Sequence, residues 1–319
     1  MESPTPKRRR RWFSISLRGL MLLILVLGGL MGWKARRASL QRRAVARIEQ
    51  LKGTVVYDWQ YTGYISITKP GASPSGPVWL RKILGDEYFQ EVTQVALPAQ
   101  FSKPNVAADD DTDFFEKQAK IDLAYQQLVV QPIEDDQLAC LDHLDRLESL
   151  VLSTRFPLKA EGLARLERLD RLKVLSLSRN LDADGLKWLE RLTNLENLNV
   201  QFEESGNTDL TFLDKMPRLK SLTIGSDSVT DAHMKKIGQL RDLESLSLSG
   251  QELTDEGLSQ LQSSVQLKTL SIILPTSLTG RGLVSLDRLT NLVMLQLPGL
   301  PMNKEGTRRD WTIFVNCQI

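Results

Sequence analysis

Chemistry at a protein site needs reactive groups that converge, and this 319-residue chain offers few of them. Its histidines are His143 and His233, 90 positions apart, and its cysteines are Cys140 and Cys317. The sequence holds no His-x-x-x-His pair, no Cys-x-x-Cys pair and no Walker loop. Two cysteines are too few for a disulfide scaffold. The acidic run Asp109, Asp110, Asp111 and Asp113 has the residue type of a cation site, yet a solvated loop is the simpler account. The expectation is a protein that is no enzyme, with no catalytic residue, metal or cofactor.

The elements that would position any site follow a period. The pattern Leu-xx-Leu-xx-Leu-xx-Leu-x-Leu begins as Leu141, Leu144, Leu147, Leu150, Leu152 and returns as Leu166, Leu169, Leu172, Leu175, Leu177. Seven copies follow one another. Their fourth apolar residues are Leu150, Leu175, Leu198, Leu222, Leu246, Leu270 and Leu295, at steps of 25, 23, 24, 24, 24 and 25. The closing Leu-x-Leu alternates with period two, as a strand does. The leucines before it, three apart, suit a short helix and a turn. One such unit cannot bury its apolar face alone, but stacked units share a core. The pattern therefore predicts an α/β solenoid: a horseshoe with a parallel sheet on the concave side and helices on the convex side. Cys140 and Cys317 fall at its two ends, beyond the ~7 Å that a disulfide allows.

A second signature marks the helix starts. It reads Leu253-Thr254-Asp255-Glu256-Gly257-Leu258, with relatives at 133–138, 158–163, 181–186, 229–234 and 278–283. Thr and Asp at these points are expected to cap the first helical turn. The combination resembles the ribonuclease-inhibitor-like branch of the leucine-rich repeat family. An Arg-rich head, the Phe13 to Arg18 entry, the Ala44 to Tyr57 segment, Trp79 to Gly85 and the closing Asn316-Cys317-Gln318-Ile319 resemble membrane-anchored leucine-rich repeat proteins of planctomycete bacteria. That likeness implies repeats and an anchor, and it implies no activity. It departs from the repeat pattern at the loop asparagine, which appears once, as Asn180.

Charge divides the chain. Residues 1–47 hold 12 Lys and Arg against Glu2 alone, a balance of +11, and the remaining 29 basic and 38 acidic residues leave −9. Behind the basic run Lys7 to Arg11 lies an apolar stretch from Trp12 to Trp33, broken by Arg18. Its 21 helical steps cover about 31 Å at ~1.5 Å per residue, close to a hydrocarbon core of roughly 30 Å. Trp12 and Trp33 would sit at the two interfaces, with Leu22 and Leu25 among the lipid-facing residues. A signal peptide would have a small-x-small cleavage site, and Lys34-Ala35-Arg36-Arg37 stands there instead. An uncleaved single-pass anchor is expected, with the N-terminus cytoplasmic and the repeats exported. Gly28 and Gly32 are spaced to bring two such helices together as a homodimer, though glycine is common in membrane helices.

The expected organisation is a basic head at 1–11, a transmembrane helix at 12–33 and a helical stalk at 34–52. An N-terminal cap at 53–132, with an acidic insert at 98–122, precedes the repeats at 133–319. The chain is expected to stop at an eighth strand holding Cys317, with a helix starting at Asn303.

None of the 21 outward strand positions of the repeats is charged. A small, hydroxyl-rich face suits hydrogen bonds to a protein or peptide, and it argues against nucleic acid, which needs clustered cations. The candidate contacts on this face are Ser176, Asn199, Thr223, Ser247, Ser271 and Gln296. Arg155, Arg179, Phe202 and Glu203 are candidates in the adjoining loops. The expected function is a membrane-anchored interaction module. The alternatives are a self-associating envelope scaffold and a hydrolase or its substrate receptor.

Overall fold

The computed structural model describes residues 16–60, 73–97, 100–101, 130–131, 137–153, 160–181, 183–202, 210–225, 229–249, 252–273, 278–300 and 309–314. A ten-stranded sheet runs through it in the order β1, β2, β5, β6, β7, β8, β9, β10, β11, β12. The strands are β1 (Thr54–Tyr57), β2 (Val92–Leu97), β5 (Ser149–Ser153), β6 (Val174–Leu181), β7 (Asn197–Phe202), β8 (Ser221–Gly225), β9 (Ser245–Ser249), β10 (Thr269–Ile273), β11 (Met294–Leu300) and β12 (Arg309–Phe314). From β2 to β11 every pairing is parallel. A separate antiparallel pair joins β3 (Gln100–Phe101) to β4 (Val130–Gln131).

The leucine spacing explains the local geometry. In each unit the residue at every third leucine donates its N–H to the carbonyl three positions back. Leu169 donates to Leu166 at 3.0 Å and Leu172 to Leu169 at 3.0 Å, and Leu289 and Leu292 repeat the pattern at 2.8 and 3.0 Å. A chain of three-residue turns keeps positions i, i+3 and i+6 on one side, so Leu166, Leu169 and Leu172 all enter the core. The convex elements are accordingly short. Asp255–Ser259 is α-helical and passes into a 3-10 turn at Gln260–Ser263, and Gln137–His143 and Thr211–Lys215 are 3-10 throughout. The core is one continuous apolar column in which the paired strand residues, such as Leu150 with Leu152 and Leu246 with Leu248, are almost wholly covered. This is a leucine-rich repeat solenoid of α/β class with one long apolar N-terminal helix.

That helix, α1 (Leu17–Gln50), is 34 residues long, and the side chain of Ser16 accepts from the N–H of Gly19 at its start. Its first half is exposed, Leu22 at 63% and Leu25 at 71%. By length and composition it could cross a membrane. Trp12 lies outside the described residues. The second half does not stand free as a stalk. Ala38, Gln41, Ala44 and Ile48 are buried, and Ala44, Ile48 and Leu51 join the repeat core. Leu40 is half-buried, and the buried Gln41 beside it donates its amide to the Gln90 carbonyl at 3.1 Å. Arg37 bonds Glu91 at 3.1 Å and Arg42 reaches Glu87 at 3.3 Å. The helix thus closes the first end of the column, because the first repeat has no earlier repeat to cover it.

At the other end a strand lies ahead of the position expected for the eighth strand. β12 begins at Arg309 and runs antiparallel to β11, which places Ile313 and Trp311 in register with Leu295 and Leu297. The segment has no leucines at spacing three, and its Trp311-Thr312-Ile313-Phe314 is rich in strand formers. Residues at which the period places the helix of a further repeat thus form a strand, and that strand pairs with β11 as the last of the sheet. Cys317 and Asn303 lie outside the described residues.

Candidate functional site

The six concave candidates form a single row. Ser176 is the register partner of Asn199, Asn199 of Thr223, Thr223 of Ser247, Ser247 of Ser271, and Ser271 of Gln296. The row continues through Val151 and Ala96 at one end and Thr312 at the other. Parallel neighbours lie about 4.8 Å apart, so the row is a line of hydroxyl and amide groups at the spacing of a β-sheet. Each member sits between two core residues of its own strand, as Ser247 sits between Leu246 and Leu248, and therefore points away from the core. Asn199 is exposed, and Ser176, Thr223, Ser247, Ser271 and Gln296 are half-buried.

One edge of this face carries a feature that the notion of an uncharged surface misses. Immediately before the six strands β5 to β10 stand, in order, Glu148, Lys173, Glu196, Lys220, Glu244 and Lys268. The signs alternate, one charge per repeat. Their backbones are linked, each N–H donating to the preceding member's carbonyl at 2.7 or 2.8 Å. Their side chains pair in twos: Lys173 with Glu148 at 3.0 Å, Lys220 with Glu196 at 2.9 Å, Lys268 with Glu244 at 2.6 Å. The hydrogen bond to Glu196 raises the pKa of the Lys220 ammonium, and the acid of Glu244 adds to it. The bond from Lys268 lowers the pKa of the Glu244 carboxyl, helped by Lys220. Where the edge meets the sheet, a cleft of about 260 Å³ is lined by Glu148, Lys173 and Glu196 together with Gln94, Ser149, Val174 and Asn197. The alternation was present in the sequence at the 24-residue period, at a position that a search for leucines passes over.

The groups with reactive potential are used structurally. His233 caps its own helix: its Nδ1 accepts from the Thr230 N–H at 2.9 Å in a reciprocal capping box. His143 ends a turn in the first repeat. The Cys140 thiol is buried and donates to the Gln137 carbonyl at 3.0 Å, and burial pushes its pKa up to about 11. Such a thiol is almost wholly protonated at neutral pH and a poor nucleophile.

The Thr-Asp signature does more than the expected capping. Thr254 does accept from the N–H of Glu256 at 3.2 Å. Asp231 and Asp255, however, reach to the next repeat, where they accept from Thr254 and Thr279. Of the loop candidates, Arg155 and Glu203 lie outside the described residues. Arg179 and Phe202 lie on the backbones of β6 and β7, with their side chains outside the description. Among the described residues, no group of three or more His, Cys, Asp and Glu is placed to hold a metal.

No family model matches the chain, and no curated protein matches its sequence. Solved structures do. An internalin C2 of Listeria monocytogenes is 19% identical with a TM-score of 0.39, the match covering 54% of this chain and 76% of that one. Toll of Drosophila, in complex with Spatzle, is 17% identical with a TM-score of 0.40, covering 54% of this chain and 23% of Toll. TLR13, in complex with ssRNA13, is 22% identical with a TM-score of 0.36, covering 51% and 28%. The match thus spans about a quarter of the Toll and TLR13 chains.

Proposed function

We propose that this chain is a recognition module, held to a membrane by residues 12–33, that binds an extended segment of a partner protein along its concave row. The observation that carries the reading is the unbroken register from Ser176 to Gln296. It presents hydroxyls and amides as donors and acceptors in one continuous line, about 4.8 Å from strand to strand. The charged edge fits a polypeptide as well. Its paired, alternating signs offer a phosphate backbone no run of cations to release counterions against, while side chains of either sign find a partner beside the row. The resemblance to bacterial membrane-anchored repeat proteins agrees with the anchor. The N-terminus-in orientation rests on the basic head that precedes the span.

The test is a crosslinking pull-down from native membranes with the full chain as bait, beside the same bait carrying Ser176→Lys and Ser247→Lys. These two sites are outward and half-buried, so the solenoid is expected to fold with either residue. Peptides captured by the first bait and lost with the second establish the concave face as the binding surface. An unchanged set of captured proteins overturns it. Recovery of the chain itself as the sole product, abolished by Gly28→Leu with Gly32→Leu, supports the scaffold reading in its place. Both glycines face open space on α1, four residues apart.

A further inference from the structure

We infer that the short helix α2 (Val78–Leu84) is a second membrane contact, a foot that seats Val78 and Trp79 in the bilayer surface that α1 crosses. The inference rests on reading residues 12–33 as the span. In α1 the uninterrupted apolar stretch ends at Trp33, 61% exposed, and Lys34 is the first charge beyond it. An indole followed by an ammonium marks the level of the headgroups. The Lys34 ammonium lies over the ring of Phe89, 5.7 Å from its centre. Phe89 in turn packs on Gly76, where an added Cβ would come within 2.7 Å of the ring. Gly76 has φ +105, so both its backbone and its surroundings require glycine. The Ser75 hydroxyl donates to the Phe89 carbonyl at 3.2 Å. These contacts hold the turn that starts α2 at the level of Lys34.

The other end of α2 is farther from the span. Gly85 lies against Arg42, two turns later in α1, and Arg42 pairs with Glu87 at 3.3 Å. The N-terminal residues of α2 are therefore the ones nearest the membrane, and helical side chains lean toward the N-terminus. Those residues are Val78, 59% exposed, and Trp79, 64% exposed. Ile83, on the same face one turn away, is 71% exposed. Large apolar groups grouped on a small helix face are costly in water. Here the nearest apolar medium is the bilayer entered by the adjoining helix. Indole favours its interface, and Lys34 and Lys82 are at hand for anionic headgroups. Two contacts, unlike one, would fix the tilt of the solenoid and the direction its concave face presents.

The experiment uses the full chain in nanodiscs of zwitterionic and anionic phospholipid. The Cys317→Ser variant leaves Cys140 in place, buried and unreactive. Single nitroxides enter through Ile24→Cys, Val78→Cys or Val293→Cys, and power saturation compares their access to oxygen and to a nickel chelate. Oxygen should dominate at 24 and 78 and the chelate at 293, on the last repeat. Trp79→Ser should shift position 78 toward the chelate and leave 24 unchanged. A label at 78 that favours the chelate while 24 favours oxygen overturns the foot and leaves the span standing. A label at 24 that favours the chelate overturns the span reading, and the foot with it.

Discussion

Asp231 in one repeat holds Thr254 in the next: its carboxylate accepts from the Thr254 N–H at 2.9 Å and from the Thr254 hydroxyl at 2.5 Å. Asp255 repeats the arrangement on Thr279 at 2.8 and 2.5 Å. The glycine of the signature belongs to the same device. A Cβ on Gly257 would lie 2.1 Å from the Asp231 Oδ1, and one on Gly282 would lie 2.3 Å from the Asp255 Oδ1. Thr-Asp-x-Gly is thus a stacking motif, in which each Asp crosses into space that the next repeat's glycine leaves open.

This arrangement is testable by a double-mutant cycle. Asp231→Ala should cost about 1–3 kcal/mol, the range for losing hydrogen bonds to a charged acceptor. Gly257→Ala should cost about as much through overpacking. Because both act at one contact, the double variant should lose much less than the sum. Urea unfolding of the full chain measures all three; additive losses would show that the two residues do not share that space.

Ser264 occupies the position that holds leucine in five other copies and Met216 in one. It is wholly buried, and its hydroxyl has no hydrogen-bond partner. Ser264→Ala removes a buried, unsatisfied group and should stabilise the chain by about 1 kcal/mol. The check is a higher urea midpoint at unchanged slope; a lower midpoint would mean that the hydroxyl is satisfied after all.

The charged edge predicts a pH profile. The Glu244 carboxyl has a lowered pKa when folded, so its contribution is present at neutral pH and is lost as pH falls through that folded value. The Lys220 ammonium has a raised pKa, so its contribution is full below the ordinary lysine value of about 10.4 and is lost as pH rises through the folded one. Glu244→Lys places a third cation between Lys220 and Lys268. It should lower the melting temperature at low ionic strength and recover part of the loss in 1 M salt, where the screening length is about 3 Å. Insensitivity to salt would mean that the ladder has no electrostatic role.

Thiol labelling tests the reading of Cys140. In the Cys317→Ser chain, maleimide at pH 7 should leave Cys140 unmodified in the folded state and label it fully in urea. Burial and a pKa of about 11 both withhold the thiolate. Rapid labelling of the folded chain would reveal a reactive site at the first repeat.

The repeat fold was legible because leucine at spacing three followed by Leu-x-Leu repeats a one-dimensional pattern, and a solenoid is built from nearest neighbours. The candidate row was legible for the same reason, since alternation along a strand determines which residues face outward. The charge ladder is equally periodic but lies just outside the strands, where the leucine spacing does not point. The Asp–Thr bridges are legible only in part. A local signature describes the cap that Thr254 makes on its own helix, but the partner of Asp231 is 23 residues away.

Sequence alone therefore determined the repeat register, the outward row and the apolar N-terminal helix, all of which follow from periodicity and composition. Tertiary structure decided what covers the two ends. Ala44 and Ile48 of α1 enter the core at the first repeat, and β12 turns back antiparallel on the last. The reason is physical: an interior repeat is covered by copies of itself, which the period predicts. A terminal repeat must be covered by residues outside the pattern, and only three-dimensional packing selects them.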